Sequence, residues 1–310
     1  VQAAFDDPAL AQVIYHDWES TTYDDKWSIS FDQRCMDFAG DRFLAALGPA
    51  AAAAMRPFGR ALEIGAGTGF FSLNLRQAGW LDEVVLSDVS PGMVDVAKDN
   101  ARSLGFDVPG RVSGAVAGIE DLPFEDGSFD LVLGHAVLHH VRDVEAGLRE
   151  CLRVLRPGGR LLFAGEPSRI GDAYARLLGR ITWEVTTRVT ALPPLRARWA
   201  RPAAELAESS RAAALEAVVD LHTFMPEDLA RLALRAGAVD VATGGQELVA
   251  ALIGWPVRTF EAAVNPDRLG WNWAMFAYRA WQRAGALDRV LGRVLPDDLF
   301  YNVSLTGVRA

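Results

Sequence analysis

The chain has 310 residues, half of them hydrophobic, enough to bury a full core in one large domain or in one domain carrying an inserted cap. A formal charge of −9 and a pI of about 5.1 argue against a nucleic-acid partner gripped by a general basic surface. Two cysteines, Cys35 and Cys151, far apart and without metal-ligand spacing, argue against a disulfide scaffold and against a metal site, and favour a reducing, cytoplasmic compartment. The opening VQAAFDDPAL lacks the features of a targeting signal, and no apolar run approaches the ~18 residues of a membrane span.

In chain order, residues 1–58 mix aromatics with acids and end in an alanine run, which predicts a helical leader. From 59 to 166 the runs ALEIG, EVVLSD, RVSGAVA, FDLVLG and GRLLFAGE alternate with helical periods and predict five strands of a parallel α/β sheet. One of those periods, Leu138, Val141, Val144, Leu148 and Leu152, is expected to be a single helix opened by His139 and His140. Residues 167–222 lose the alternation, are rich in Arg, Ala and Leu, and are cut by prolines, which predicts a helical cap. The segment 223–253 brings a helix started by Pro226 and closed by Gly237, then a return to the sheet. A Trp-rich helical insertion over 254–296 and a last strand within 297–310 complete the chain.

The first strand runs into LEIGAGTGFFS, a tight glycine turn where a ligand can lie against backbone at the crevice of an open sheet. A dinucleotide fingerprint needs a third glycine where Phe70 stands, which weakens a nicotinamide-cofactor reading. Asp88, at the end of the second strand, is placed to accept both hydroxyls of a ribose. A nucleoside fits this pattern.

LEIGAGTGFFS, the acid of LSDVSPGM, IEDLPFEDGSFDLV, VLHHV and RVLRPGGRLLFAGEP, in this order and spacing, resemble the class I S-adenosylmethionine-dependent methyltransferases of the type 11 family, over about residues 60–166. The resemblance implies a Rossmann-like seven-stranded sheet of order 3-2-1-4-5-7-6 with the seventh strand antiparallel, and S-adenosylmethionine over the glycine turn. It implies Glu63 near the methionine amino group, Gly65, Ala66, Gly67 and Gly69 forming the turn under the cofactor, Asp88 on the ribose, and Val89 and Met93 flanking the adenine. Relatives commonly carry an Asp where Gly118 stands here, so the adenine amino group falls to the backbone of Ile119 or the carboxylate of Glu120. The leader YHDWESTTYDDKWSISFD is similar to a segment that in relatives folds over the cofactor, which nominates Tyr23 and, after it, Trp18 and Trp27.

Methyl transfer from a sulfonium needs an acceptor held in line in a dry site, with a base only where the acceptor carries a proton. His135, His139 and His140 cluster after strand four and Glu166 ends strand five, so these four are the catalytic candidates. Between residues 169 and 211, Arg169, Arg176, Arg180, Arg188, Arg196, Arg198, Arg201 and Arg211 are accompanied only by Asp172, Glu184, Glu205 and Glu208, which suits an anionic group on the acceptor or a charged helix surface. The tryptophans suit an apolar pocket or a homodimer contact. The expected activity is methylation of a small-molecule or lipid-like acceptor on O, C or N; the alternatives are a protein methyltransferase and a catalytically silent cofactor-binding subunit.

Overall fold

A computed structural model describes residues 8–27, 29–106, 108, 110–207, 209 and 219–310. Glu208 and Arg211, like the first seven residues of the leader, lie outside them. The described residues fall into two compact units, the first within 1–166, 219–244 and 304–310, the second within 167–218 and 245–303.

The first unit opens with four helices, α1 (Pro8–Glu19), α2 (Tyr23–Trp27), α3 (Gln33–Leu47) and α4 (Pro49–Met55). Asp32 starts α3 by accepting the Arg34 N–H at 2.9 Å. The sheet follows as β1 (Phe58–Ile64), α5 (Phe70–Gln77), β2 (Leu81–Asp88), α6 (Pro91–Ser103), β3 (Val112–Val116), β4 (Phe129–His135), α7 (Val144–Val154) and β5 (Leu155–Pro167). Helix α10 (Pro226–Ala236) leads into β6 (Ala238–Gln246), and β7 (Asn302–Arg309) ends the chain. The seven strands lie in the order β3-β2-β1-β4-β5-β7-β6, as expected. The pairs β1/β2, β1/β4, β2/β3 and β4/β5 are parallel. Strand β7 runs against its neighbours. Ser304 bonds Gly244 while Gly307 sits on Ala238, and Thr306 bonds Leu161 while Arg309 bonds Leu155.

The central strands are continuous apolar runs because both faces are covered, and Leu62, Leu86, Leu131, Leu133 and Leu162 are fully buried. Phe43 of the leader and Phe58 and Phe71 join the same core, so α3 is part of the fold's packing.

In the second unit, α8 (Arg169–Thr190) starts at Ser168, whose hydroxyl accepts the Gly171 N–H at 2.8 Å. Helices α9 (Pro193–Trp199), α11 (Val249–Ala263) and α12 (Trp271–Leu291) follow, and α11 packs against both α8 and α12. The buried Asp288 carboxylate accepts the Val249 and Ala250 N–H groups at 2.7 and 3.0 Å, satisfying the open amides of α11. Trp273 donates to Glu261 at 2.6 Å and Trp281 to Glu247 at 3.2 Å, so these two tryptophans fasten this unit internally.

Two boundaries differ from expectation. The segment expected over 223–253 as the return to the sheet leaves the sheet at Gln246, and a helix capped by Asp288 begins at Val249, inside that segment. Residues 138–154 are not one helix: Leu138–His140 is a short 3-10 turn, and α7 starts afresh at Asp143, which accepts the Ala146 N–H. The break falls at Val141, whose backbone is extended with ψ 130°, while Glu166 caps the open N–H groups of the short turn before it.

Candidate active site

The C-terminal ends of β1, β2, β4 and β5 gather the expected residues at one edge of the sheet, all within the first unit. The three glycines of the turn have positive φ, at +59° for Gly65, +52° for Gly67 and +85° for Gly69, a region costly for other residues. Their surroundings separate them. A Cβ on Gly65 would collide with the Val137 side chain, and one on Gly69 would lie 2.6 Å from Leu73, so these two glycines are needed by packing. A Cβ on Gly67 would meet only Tyr23 Cε1 at 3.9 Å. Gly67 therefore faces the open part of the cradle. Ala66 closes the turn, donating to Ser87 O at 2.9 Å and accepting from Gly69 N at 2.8 Å.

Asp88 ends β2 with both carboxylate oxygens engaged, Oδ2 by the Gly67 N–H at 2.8 Å and Oδ1 by the Ser90 N–H at 2.9 Å. Each oxygen keeps a second acceptor direction, so the group that pins the turn still suits a vicinal diol. Burial raises its pKa, opposed by these amides. Beyond it, Val89 and Gly118 border open space, since a Cβ on Gly118 would find only Val89 Cγ1 at 3.9 Å. The carboxylate of Glu120 accepts the Asp143 N–H at 3.0 Å and the Ile119 side chain packs on Gly147, which leaves the Ile119 backbone as the better adenine candidate. Met93 is buried at the start of α6, 1% exposed. A cradle bare of side chains with a buried acid at its end fits an adenosine.

Glu63, at the end of β1, accepts the N–H and hydroxyl of Ser72. Burial pushes its pKa up to about 8, against the Ser72 hydrogen bonds and with a further rise from Asp88.

The leader reaches this edge through two acids that sequence reasoning missed. Asp24 accepts from the Thr68 hydroxyl at 2.5 Å and from Asn100 Nδ2 at 3.3 Å, while Asp17 accepts from Ser90 Oγ at 3.1 Å and Gly92 N at 2.8 Å. The signal lay in the YDD run, where an acid follows the nominated Tyr23. Trp18 is 57% exposed, a poor position for covering a ligand, whereas Trp27 lies 6.2 Å from the Tyr23 ring.

Glu166 is fully buried. Its Oε1 accepts the Val137 and Leu138 N–H groups, both at 2.9 Å, and its Oε2 accepts the His139 N–H at 3.1 Å and lies 2.9 Å from His139 Nδ1. With Glu166 as the acceptor, Nδ1 carries a proton, and in the neutral ring the lone pair is then on Nε2. The turn is strained as well as tied, because Ala136 has φ +54°. Asp220 Oδ1 stands 3.8 Å from His139 Nε2, beyond hydrogen-bond length.

The other two histidines do not suit a base. His135 is enclosed by Phe38, Phe70 and Phe71 with Gly165 against Nε2, and burial lowers its pKa to about 3, too low for proton abstraction near neutrality. His140 Nδ1 donates to Val219 O at 3.1 Å, and burial depresses its pKa well below the ordinary value. His139, His140 and Asp220 each bring one donor atom within 4.8 Å of the others, but that bond to Val219 gives His140 a structural role. A hollow of about 410 Å³ beside Arg60, Glu83 and Ser113 lies at the opposite edge, away from these groups.

The sheet order with its reversed last strand, the bare cradle of Gly67 and the buried acid behind it give this unit the fold of the class I S-adenosylmethionine-dependent methyltransferases. S-adenosylmethionine is the cofactor of that class. Residues 62–163 match the family model described as a methyltransferase domain. Among curated proteins, the ubiquinone/menaquinone biosynthesis C-methyltransferase UbiE of Haemophilus ducreyi is 35% identical over 131 residues, 42% of this chain and 50% of that protein. The protein of the same name from Vibrio cholerae is 40% identical over 135 residues, 43% of this chain and 51% of that protein. The chain thus spans about half the length of the curated relatives it matches. Two solved structures share the fold. A methyltransferase of Thermotoga maritima described as a possible histamine N-methyltransferase has TM-score 0.52 at 18% identity, over 96% of this chain and all of that one. The phosphoethanolamine N-methyltransferase 2 of Haemonchus contortus has TM-score 0.52 at 17% identity, over 88% of this chain and 52% of that one. Among the described residues no helix is long and apolar enough to cross a membrane.

Proposed function

We propose that the protein transfers the methyl group of S-adenosylmethionine to a proton-bearing carbon or oxygen of a small, lipid-like acceptor, with His139 as the base and Glu166 as the residue that positions it. The observation that carries this reading is the Glu166–His139 contact at the cradle's edge, 2.9 Å between Oε2 and Nδ1, which holds the imidazole in one orientation. The names of the curated relatives, C-methyltransferases of quinone biosynthesis, agree with a carbon or phenolic acceptor.

When bound, the cofactor supplies a methyl group on a positively charged sulfur. Asp88 binds the ribose, the turn at Gly67 accommodates the chain beside it, and Tyr23 covers that turn and excludes water. Glu166 keeps the His139 proton on Nδ1, so that Nε2 takes the acceptor's proton as the new bond forms. The test is incubation with methyl-labelled S-adenosylmethionine and a panel of hydroquinones, phenols and β-dicarbonyl compounds bearing alkyl chains. Label is expected in one organic-extractable product. Label found only on added protein substrates, or no transfer with cofactor bound, would overturn the reading.

Glu63 gives this reading a proton signature. Between its unfolded value of 4.5 and its folded value of about 8 the folded carboxyl holds the proton, so it lends stability that is lost as pH rises through that window. An ammonium brought against it favours the charged form and expels the proton. Cofactor binding at pH 7 is therefore expected to release close to one proton, read by calorimetry in buffers of different ionisation enthalpy, and Glu63→Gln is expected to remove that release. Equal heats in all buffers would place the ammonium elsewhere.

A further inference from the structure

Helix α8 carries a row of large apolar side chains turned to solvent. Ile170, Leu177, Ile181, Val185 and Val189 recur in one seven-residue and then successive four-residue steps, which return to one face of a helix, and Leu192 extends the row past its end. Leu177 is 58% exposed and Val185 55%, while Ala175, Thr186 and Thr190 on the other side are buried. Arginines border and interrupt the row. Arg180 is exposed, Arg188 is 78% exposed, and Arg196 and Arg198 continue the charge onto α9. The two acids of α8 are already matched, Asp172 by Arg176 at 2.7 Å and Glu184 by Arg188 at 2.5 Å. Charge is also divided between the units. The second holds 14 arginines against 11 acidic residues in a chain whose net charge is −9.

We propose that this face of the second unit docks on an anionic phospholipid surface, with α8 lying in the interface plane. An aliphatic stripe with arginines beside it matches both layers of such a surface, acyl carbon below and phosphate above. A second copy fits less well. In a two-fold contact each stripe meets its own image, which brings the arginine rows of the two chains together. The inference does not depend on which acceptor is methylated, though a protein held at a bilayer has direct access to lipid-like molecules.

Co-sedimentation with lipid vesicles tests it. The chain is expected to pellet with vesicles of equal parts phosphatidylglycerol and phosphatidylcholine, to stay in solution with phosphatidylcholine alone, and to be released by salt at about 0.5 M. Ile181→Asp with Val185→Asp, and separately Arg180→Glu with Arg188→Glu, should each lower the bound fraction about tenfold or more, with circular dichroism and cofactor affinity unchanged. Wild-type protein that ignores both vesicles, or variants that pellet like wild type, would overturn the proposal. So would a dimer in analytical ultracentrifugation that Ile181→Asp dissociates and that does not bind vesicles.

Discussion

Gly67→Val is expected to abolish S-adenosylmethionine binding and leave the protein folded: the dissociation constant should rise at least about a hundredfold by calorimetry, while the circular dichroism spectrum is retained and the melting temperature drops by only a few degrees. The two effects separate because of what lies around the residue. A side chain at φ +52° costs about 1–2 kcal/mol of backbone strain, which a domain of this size registers as a modest shift in melting. The added Cβ itself meets only Tyr23 at 3.9 Å, so packing tolerates it. The cofactor would have to occupy that same space. Gly65→Val makes the control, because there the Cβ collides with Val137 and overpacking adds to strain, so stability should fall with binding. Asp88→Asn should act in between. Its amide group must turn toward either Gly67 N or Ser90 N, both donors, so ribose affinity and the shape of the turn suffer together. Tight binding by the valine variant would mean that the open side of Gly67 is not the cofactor's side.

How far the residues announce this arrangement depends on the range of the interaction. The glycine turn and Asp88 were legible because each belongs to a local strand-to-helix junction, where spacing along the chain fixes position in space. The order of the sheet came with the resemblance, and the observed strands agree with it. The histidines were not separable in this way. His135, His139 and His140 lie within six residues, yet three aromatic rings bury the first, a carboxylate 27 positions away orients the second, and a carbonyl 79 positions away holds the third. No periodicity encodes such long-range partners. The same holds for the broken helix at 138–154, whose apolar spacing was regular while the backbone at Val141 is extended. Asp17 and Asp24 read as surface acids of a leader because their partners, Ser90, Gly92, Thr68 and Asn100, are distant in sequence.

The second large effect falls on transfer itself. With an acceptor found by the labelled-methyl screen, His139→Ala should slow transfer by about 10²–10⁴, the usual loss for a positioned base, while cofactor affinity stays within about threefold. A merely structural histidine on this turn would act differently, lowering stability and binding together, because the turn carries Val137 against Gly65 beneath the cofactor. Two further readouts separate the roles. Without the base, the rate should climb with pH as the acceptor ionises on its own, and added imidazole should restore part of it in the alanine variant. Glu166→Gln probes the orientation. Its amide can accept only at one end, so some of the buried N–H groups of Val137, Leu138 and His139 lose a partner at about 1–3 kcal/mol, and the His139 tautomer is no longer fixed. That variant should therefore lose both stability and rate, and imidazole should not rescue it. If His139→Ala transfers at the wild-type rate, with the same pH profile and no response to imidazole, the proton leaves the acceptor by another route and the pair only braces the turn.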